Sequence, residues 1–318
     1  MKKRRQVSSS VSAISKQKKK LKKEHLQLIS MTIPGMVLLL LFNYLPMFGV
    51  ILSFKKFNYN LGVWKSPWCG FDNFEFFFKS GSLMRLLKNT VGMNLLFLLT
   101  GTLLNIVLAL LLYEITNQFA IKSFQTILFL PFVISWVAAS YALYANLSDV
   151  DGIINGLLLA SGKEKIMWYG SAEKWPIILL ICYIWKSIGF GVIVNYGNLI
   201  AIDKSYFEAA KLDGASRLQI MRYISLPFIG PIVITMFILS LGRVFNADFG
   251  MFYYMPRNSS LLYSTTDVID TYVFRTLRVT GDVGMSSAVG LSQSIIGFFV
   301  LLLANKLAKH FSDEGGLI

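Results

Sequence analysis

Two cations stand at or within runs otherwise free of charge. Lys186, in the string IWKSIGFG, is the only charged residue between positions 175 and 202, and Arg243 directly follows the charge-free run 223–242. Asn195 and Asn198 lie downstream of Lys186, while Phe245, Asn246 and Asp248 follow Arg243. A lone ammonium or guanidinium inside an apolar helix is costly and calls for a partner. Guanidinium and amide groups donate to hydroxyls and carboxylates, and the interspersed rings offer apolar faces. Lys186, Asn195, Arg243, Asn246 and Asp248 are therefore candidates for lining a path for a polar solute. The competing reading is interhelical pairing or, for Arg243, snorkelling toward the membrane surface.

This is binding chemistry, and no residue is assigned a catalytic role. His25 and His310 lie at opposite ends of the chain, and Cys69 and Cys182 are isolated, so no metal or disulfide framework is indicated. Gly162-Lys163 is followed by Glu164, with Leu157 where a phosphate-cradling loop needs its first glycine. Neither G-x-S-x-G nor H-E-x-x-H occurs. Asp149-Val150-Asp151-Gly152 lacks the later acidic ligands of a calcium loop and reads as a turn.

The elements that must position these residues are apolar helices. Hydrophobic residues make up 54% of the 318, and mean hydropathy is +0.56. Residues 26–54, 89–113, 123–148, 223–242 and 283–305 contain no Lys, Arg, Asp or Glu. About 20 apolar residues cross a ~30 Å hydrocarbon core. Six transmembrane helices are expected, near 27–53, 89–112, 123–146, 175–200, 224–245 and 284–305, the first kinked by Pro34 and Pro46. Residues 54–87 are crowded with aromatics, which suits a helix lying in the membrane interface. Residues 147–174 read as a turn followed by a short surface helix. The net charge of +14 rests mainly on ten basic residues within the first 23, where no acid occurs. That tail has a disordered composition with no interleaved aromatics. It reads as cytoplasmic and attracted to anionic lipid, with no nucleic acid partner.

The chain's most polar interruption runs from Glu208 to Pro227, EAAKLDGASRLQIMRYISLP, between two apolar segments. Carrying Glu208, Lys211, Asp213, Arg217 and Arg222, it must project into water. Asp203 is the expected N-cap of a helix ending at Leu212, and Gly214 marks the break. A second helix is expected from Ala215 to Tyr223, with Asp213 available as its cap.

Glu208-Ala209-Ala210, Asp213-Gly214-Ala215 and Ile224-Ser225-Leu226-Pro227 together closely resemble the EAA signature of permease subunits of ATP-binding-cassette (ABC) importers, with Met221 where many members carry Phe. FLPFVISW at 129–136, IWKSIGFG at 184–191, VIDTYVFR at 268–275 and AVGLSQSIIGFFVLLLANKLAK at 288–309 look like the multi-sugar, polysaccharide-type branch. KSPWCGFDNFEFFF is similar to that branch's first outer segment. The resemblance covers about residues 26–309.

It implies an all-α membrane protein of six transmembrane helices with the type I ABC importer permease fold. Residues 1–25 would be a basic cytoplasmic tail and 26–88 a first transmembrane helix with an outer interfacial segment. The ABC type-1 transmembrane domain would cover 89–305, with its coupling elbow at 203–223, and 306–318 would form a cytoplasmic tail. Glu208, Ala209, Ala210, Asp213, Gly214, Ala215 and Pro227 would couple to a cytoplasmic ATPase. The implied partners are a second homologous permease subunit, two ATPase subunits, an extracellular solute-binding (lipo)protein, an oligosaccharide and membrane lipid. The subunit would have no cofactor and no enzymatic activity of its own, with ATP and magnesium used by the partner ATPases. It would lie in a bacterial cytoplasmic membrane as a multi-pass protein with both termini cytoplasmic. Two alternatives stand beside this: the same kind of permease with a non-sugar solute, and an ion-coupled secondary transporter. The latter expects intramembrane acids, and the spans contain no Asp or Glu.

Overall fold

The computed structural model describes residues 28–79 and 81–311; the expected disordered tail 1–25 and the end of the C-terminal tail lie outside the described residues. Among the described residues the ordered structure is helical, apart from one isolated antiparallel bridge between Lys55 and Trp68. The chain divides into two compact units, Met1–Leu52 and Ser53–Ile318.

Helix α1 (Leu28–Phe54) accounts for the described part of the first unit and runs two residues into the second. Its helical geometry widens to π over Leu40–Tyr44, just ahead of Pro46, and tightens to 3₁₀ over Phe48–Phe54. A proline lacks the N–H that continues an α-helical ladder, and the turn before it absorbs the mismatch.

The second unit contains α2 (Asp72–Lys79), α3 (Ser82–Tyr113), α4 (Gln118–Val133), α5 (Trp136–Leu147), α6 (Ile153–Ala160), α7 (Trp175–Ile200), α8 (Lys204–Leu212), α9 (Arg217–Leu241), α10 (Phe249–Tyr254), α11 (Ile269–Arg275) and α12 (Val283–Phe311). Helices α1, α3, α7, α9 and α12 are each long and apolar enough to cross a bilayer, and α4 with α5 supplies a sixth span if the bent pair is counted as one. On α3, Leu86, Met93, Phe97 and Gly101 are buried, whereas Leu96, Leu99, Leu103 and Val107 on another face are exposed. A helix apolar on both its packed and its open face suits hydrocarbon and not water.

Helix α7 lies at the centre, with α3 and α4 against it, while α9 packs on α12. At Gly189 a Cβ would fall 1.9 Å from the Leu128 carbonyl oxygen of α4, so only glycine permits this backbone approach.

The expected third span, 123–146, is not one straight helix: α4 and α5 meet at 97°. Pro131 lies in the last turn of α4, and the break follows at Ile134 and Ser135, both in extended conformation, with Ser135 capping α5 through the Ala138 N–H. The expected fifth span also ends early, at Leu241, and Val244–Ala247 are non-helical. Side chains satisfy that segment's backbone. Asn94 Nδ2 donates to the Val244 and Asn246 carbonyls at 2.7 and 3.2 Å. Gln293 Nε2 donates to the Phe245 carbonyl at 2.6 Å, and the Ala247 N–H donates to Asp270 Oδ2 at 2.8 Å. Irregular backbone within a membrane bundle persists only where such partners exist. The turn at 149–151, the short helix α6 and the helix α2 within 54–87 all form where expected.

Beyond α9, a buried ion cluster ties the segment after α10 to the start of α3. The Asp267 side chain is 0% exposed and takes both oxygens' bonds from Arg275 Nη2, at 2.8 and 2.9 Å, with Arg85 Nη2 at 3.3 Å. Thr271 Oγ1 donates to Asp267 Oδ1 at 3.1 Å, and Asn89 Nδ2 donates to the Asp267 carbonyl at 3.0 Å.

Candidate functional site

Two features stand at opposite ends of the spans: the elbow that follows the C-terminus of α7, and a polar cavity where α9 ends. With 26 residues at 1.5 Å each, α7 is about 39 Å long.

The elbow forms as the sequence suggests, through a more specific device. Asp203 caps α8 by accepting the Ser205 N–H at 2.9 Å, and that bond holds its carboxyl below the usual aspartate range. At the other end, the Ala215 N–H donates to the Ala210 carbonyl at 2.9 Å and the Gly214 N–H to the Lys211 carbonyl at 3.1 Å, with Gly214 left-handed at φ +78°. This pair of bonds is a Schellman motif, and Ala210 and Ala215, the two residues it brings together, both pack toward the apolar core.

Asp213 does not cap the following helix. It occupies the C-cap of α8, and Ser216 caps α9 instead, in a capping box with Gln219. Serine wins because it stands immediately before the first helical residue, with Gln219 three positions on to return the bond. Phe207 points inward, its ring 5.4 Å from that of Tyr113, and Arg217 pairs with Glu114 at 3.6 Å.

Of the residues expected to couple to an ATPase, Glu208, Ala209, Asp213, Gly214 and Pro227 are exposed, whereas Ala210 and Ala215 are half-buried. Two exposed residues were not anticipated: Leu212 is 89% and Leu218 77% exposed. Apolar side chains thrust from an otherwise polar projection are anchors for a groove on another protein. Their signal in the sequence was two isolated leucines within the charged stretch.

The cavity, of about 410 Å³, is lined by Asn94, Tyr183, Arg243, Asn246, Asp248 and Met251 among others. Phe97 and Tyr183 stack on its wall with centroids 4.6 Å apart and planes 12° from parallel. Among the described residues the Arg243 guanidinium has no hydrogen-bonding or ion-pair partner, leaving its fork of donors free. Asp248 is committed structurally: it accepts the Trp136 indole N–H at 2.7 Å and caps α10 through the Met251 N–H. Just behind the wall, burial raises the Asp270 carboxyl above the usual aspartate range, opposed by the Ala247 N–H and the Gln293 amide.

The structure thus brings Arg243, Asn246 and Asp248 together and leaves Lys186 and Asn195 out of that cavity. Lys186 Nζ reaches the break between α4 and α5 and donates to the carbonyls of Pro131 (3.4 Å), Phe132 (2.8 Å) and Ile134. It also lies 5.3 Å from the Trp136 ring. The Pro131 carbonyl also accepts the Ile134 N–H at 3.2 Å, whereas Phe132 and Ile134 present theirs at the broken helix end, where Lys186 meets them. Replacing it by Met should leave the Phe132 and Ile134 carbonyls without this donor and lower the stability of the assembled protein by about 1–3 kcal/mol. The thermal midpoint of the detergent-solubilised protein is the readout, and an unchanged midpoint contradicts this role. Asn94, Phe97 and Tyr183 went unnoticed in the sequence. Amides at 89, 94 and 105 inside a charge-free run were the available signal.

A bundle of apolar spans enclosing a polar cavity, with a water-facing elbow at the other end, defines a multi-pass membrane permease. The chain belongs to the family of binding-protein-dependent transport system inner membrane components, which it matches over residues 26–312. It is similar to protein LplB of Bacillus subtilis strain 168, with 36% identity over 89% of this chain and 88% of the relative. A second relative, the polygalacturonan/rhamnogalacturonan transport system permease protein YteP of the same organism, is 33% identical over 90% of this chain and 88% of its own. Among solved structures, a chain of a bacterial alginate ABC transporter, in complex with an alginate pentasaccharide-bound periplasmic protein, superposes with a TM-score of 0.83. The identity is 29%, covering 93% of this chain and 98% of that one. The fold is that of a type I ABC importer permease.

Proposed function

We propose that this chain forms one half of the translocation path of an ATP-driven oligosaccharide importer, paired with a second homologous permease. The cargo assignment rests on one cavity lined both by the unpaired Arg243 guanidinium and by the stacked Phe97 and Tyr183 rings. A saccharide has apolar C–H faces that suit aromatic stacking and polar edges that suit guanidinium and amide donors. The names of the relatives, which transport polygalacturonan/rhamnogalacturonan or alginate, support the same class.

In this reading two ATPase subunits dock at the elbow and consume ATP with magnesium, while this chain contributes neither a nucleotide site nor a cofactor. A solute-binding protein delivers cargo at the end where α9 stops. The elbow, and with it both termini, then lies on the cytoplasmic side, in keeping with the basic tail and the positive-inside rule. Alternating access moves the cargo from the Arg243 cavity toward the elbow side.

Arg243→Leu keeps an apolar stem in a membrane helix end and removes only the donors. Oligosaccharide uptake by the reconstituted complex should fall about tenfold or more, the loss of one charged hydrogen-bonding group, with assembly intact. Unchanged uptake kinetics would assign Arg243 to snorkelling and remove it from the path.

A further inference from the structure

A second cavity, of about 330 Å³, opens at the same end of the bundle as the Arg243 cavity and shares no lining residue with it. Tyr141, Tyr253, Tyr254, Arg257, Asn258 and Ser140 line it, and no acidic side chain does. The tyrosines form a braced shelf. Phe249 stacks on Tyr253 at 5.0 Å and 20°, Phe274 meets Tyr253 edge-on at 5.2 Å, and Tyr254 stands perpendicular to Tyr253. Tyr141 is well exposed on the facing helix, α5. Rigid rings with exposed hydroxyls offer an apolar face and polar tips at little entropic cost.

Arg257 is held there against the preference of its backbone. The Asn258 N–H donates to the Tyr253 carbonyl at 3.0 Å and the Arg257 N–H to the Tyr254 carbonyl at 3.1 Å, the same pair of bonds that ends α8. The residue equivalent to Gly214 in this second Schellman motif is Arg257, left-handed at φ 54°. Asn258 follows at φ 47°, its side chain held by the Tyr263 hydroxyl at 3.0 Å. Glycine is the ordinary occupant of that position and asparagine a tolerated one, whereas arginine adopts it at a cost. Strain of this kind is retained where the side chain does something that the unstrained residue cannot. Here the Arg257 guanidinium lies over the Tyr144 ring at 4.0 Å. Stacking holds its plane, and its N–H edge has no acceptor among the described residues. A stacked guanidinium with a free fork is built to take a carboxylate through two parallel bonds.

We infer that this cavity is a receiving subsite for an acidic sugar residue, in which Arg257 binds the uronate carboxylate and the tyrosine shelf takes the ring face. The inference rests on the saccharide reading above and narrows it to carboxylate-bearing oligosaccharides.

The test uses the complete transporter in proteoliposomes with its binding protein. Two probes are compared: short oligogalacturonides, and the same oligomers with their carboxyl groups reduced to alcohols. Arg257→Gly relieves the backbone and should leave assembly intact, with a thermal midpoint at or above that of the parent. The half-saturating concentration for the acidic probe should nevertheless rise about tenfold or more, with little change for the reduced one. Arg257→Lys, which keeps the charge and loses the fork, should fall between parent and glycine variant for the acidic probe. Equal losses for both probes would mean that Arg257 acts in docking the binding protein and would overturn the subsite. An unaffected acidic probe, or a parent that takes up only the reduced oligomers, would overturn it as well while leaving the saccharide reading in place. A parent that takes up neither probe and transports a non-saccharide would remove both.

Discussion

Gly214→Val is expected to abolish coupled transport without preventing insertion. A Cβ at Gly214 meets no atom of the described residues within 4 Å, so among them the obstacle is the backbone alone. At φ +78° a β-branched residue is a steric outlier, and the left-handed region costs an ordinary L-residue about 1–2 kcal/mol even before branching. The bend either shifts or unwinds, and the exposed row of Glu208, Ala209 and Leu212 leaves its position relative to Leu218. Alternating access requires nucleotide-driven closure to bias the two states differentially, and a near-complete switch needs about 5.5 kcal/mol. A displaced lever transmits little of that. Substrate-stimulated ATP hydrolysis and uptake should therefore separate or fall together by more than about tenfold. Gly214→Asn tolerates the same conformation and should retain most of the coupling. Leu212→Asp and Glu208→Lys should weaken retention of the ATPase while leaving the bend intact. Full coupling in both Gly214→Val and Glu208→Lys would show that the elbow is not the docking element.

Asp267→Ala is expected to produce the largest loss of stability. It removes the only acid of a buried cluster and leaves Arg275 and Arg85 facing each other with their partner gone. Removing one member of a buried pair costs about 3–5 kcal/mol because the remaining charge stays desolvated; that holds for Arg275, 18% exposed, whereas Arg85, 41% exposed, can turn to water. Arg275 also stacks on the Tyr263 ring at 4.1 Å, and Tyr263 holds Asn258, so the damage should spread to the Arg257 cavity. Thermal unfolding of the solubilised complex measures the first effect. A double-mutant cycle with Arg275→Ala measures the coupling, since the double variant should be less destabilised than the two single losses added. Additive losses would mean that the three groups do not form one unit.

The spans were legible because a charge-free, predominantly apolar run of about twenty residues is long enough to cross the hydrocarbon core. The elbow was legible for the opposite reason: five charges between two such runs cannot stay in hydrocarbon. What escaped was decided by contacts remote in sequence. The break in the third span follows from Pro131, but its stability depends on Lys186, more than fifty positions away, so neither string discloses it. For Lys186 the sequence left a path residue and an interhelical partner side by side, because its partners are backbone carbonyls, which every residue carries and no sequence pattern marks. Arg243 stood out as a charge needing explanation, while Asn94 and Gln293, which hold the backbone beside it, are single amides in apolar runs. Asp267 and Arg257 drew no attention. One is among four aspartates in the segment between the last two spans, and the other shows its significance only through a backbone angle.

ATP-driven import is measured most directly as accumulation of a labelled oligosaccharide in proteoliposomes containing this chain with a partner permease, ATPase subunits and binding protein. Accumulation should require ATP on the elbow side of the membrane and binding protein on the opposite side, and omission of either should reduce it to background. Accumulation driven by a sodium or proton gradient with no ATPase present would contradict an ATP-driven importer.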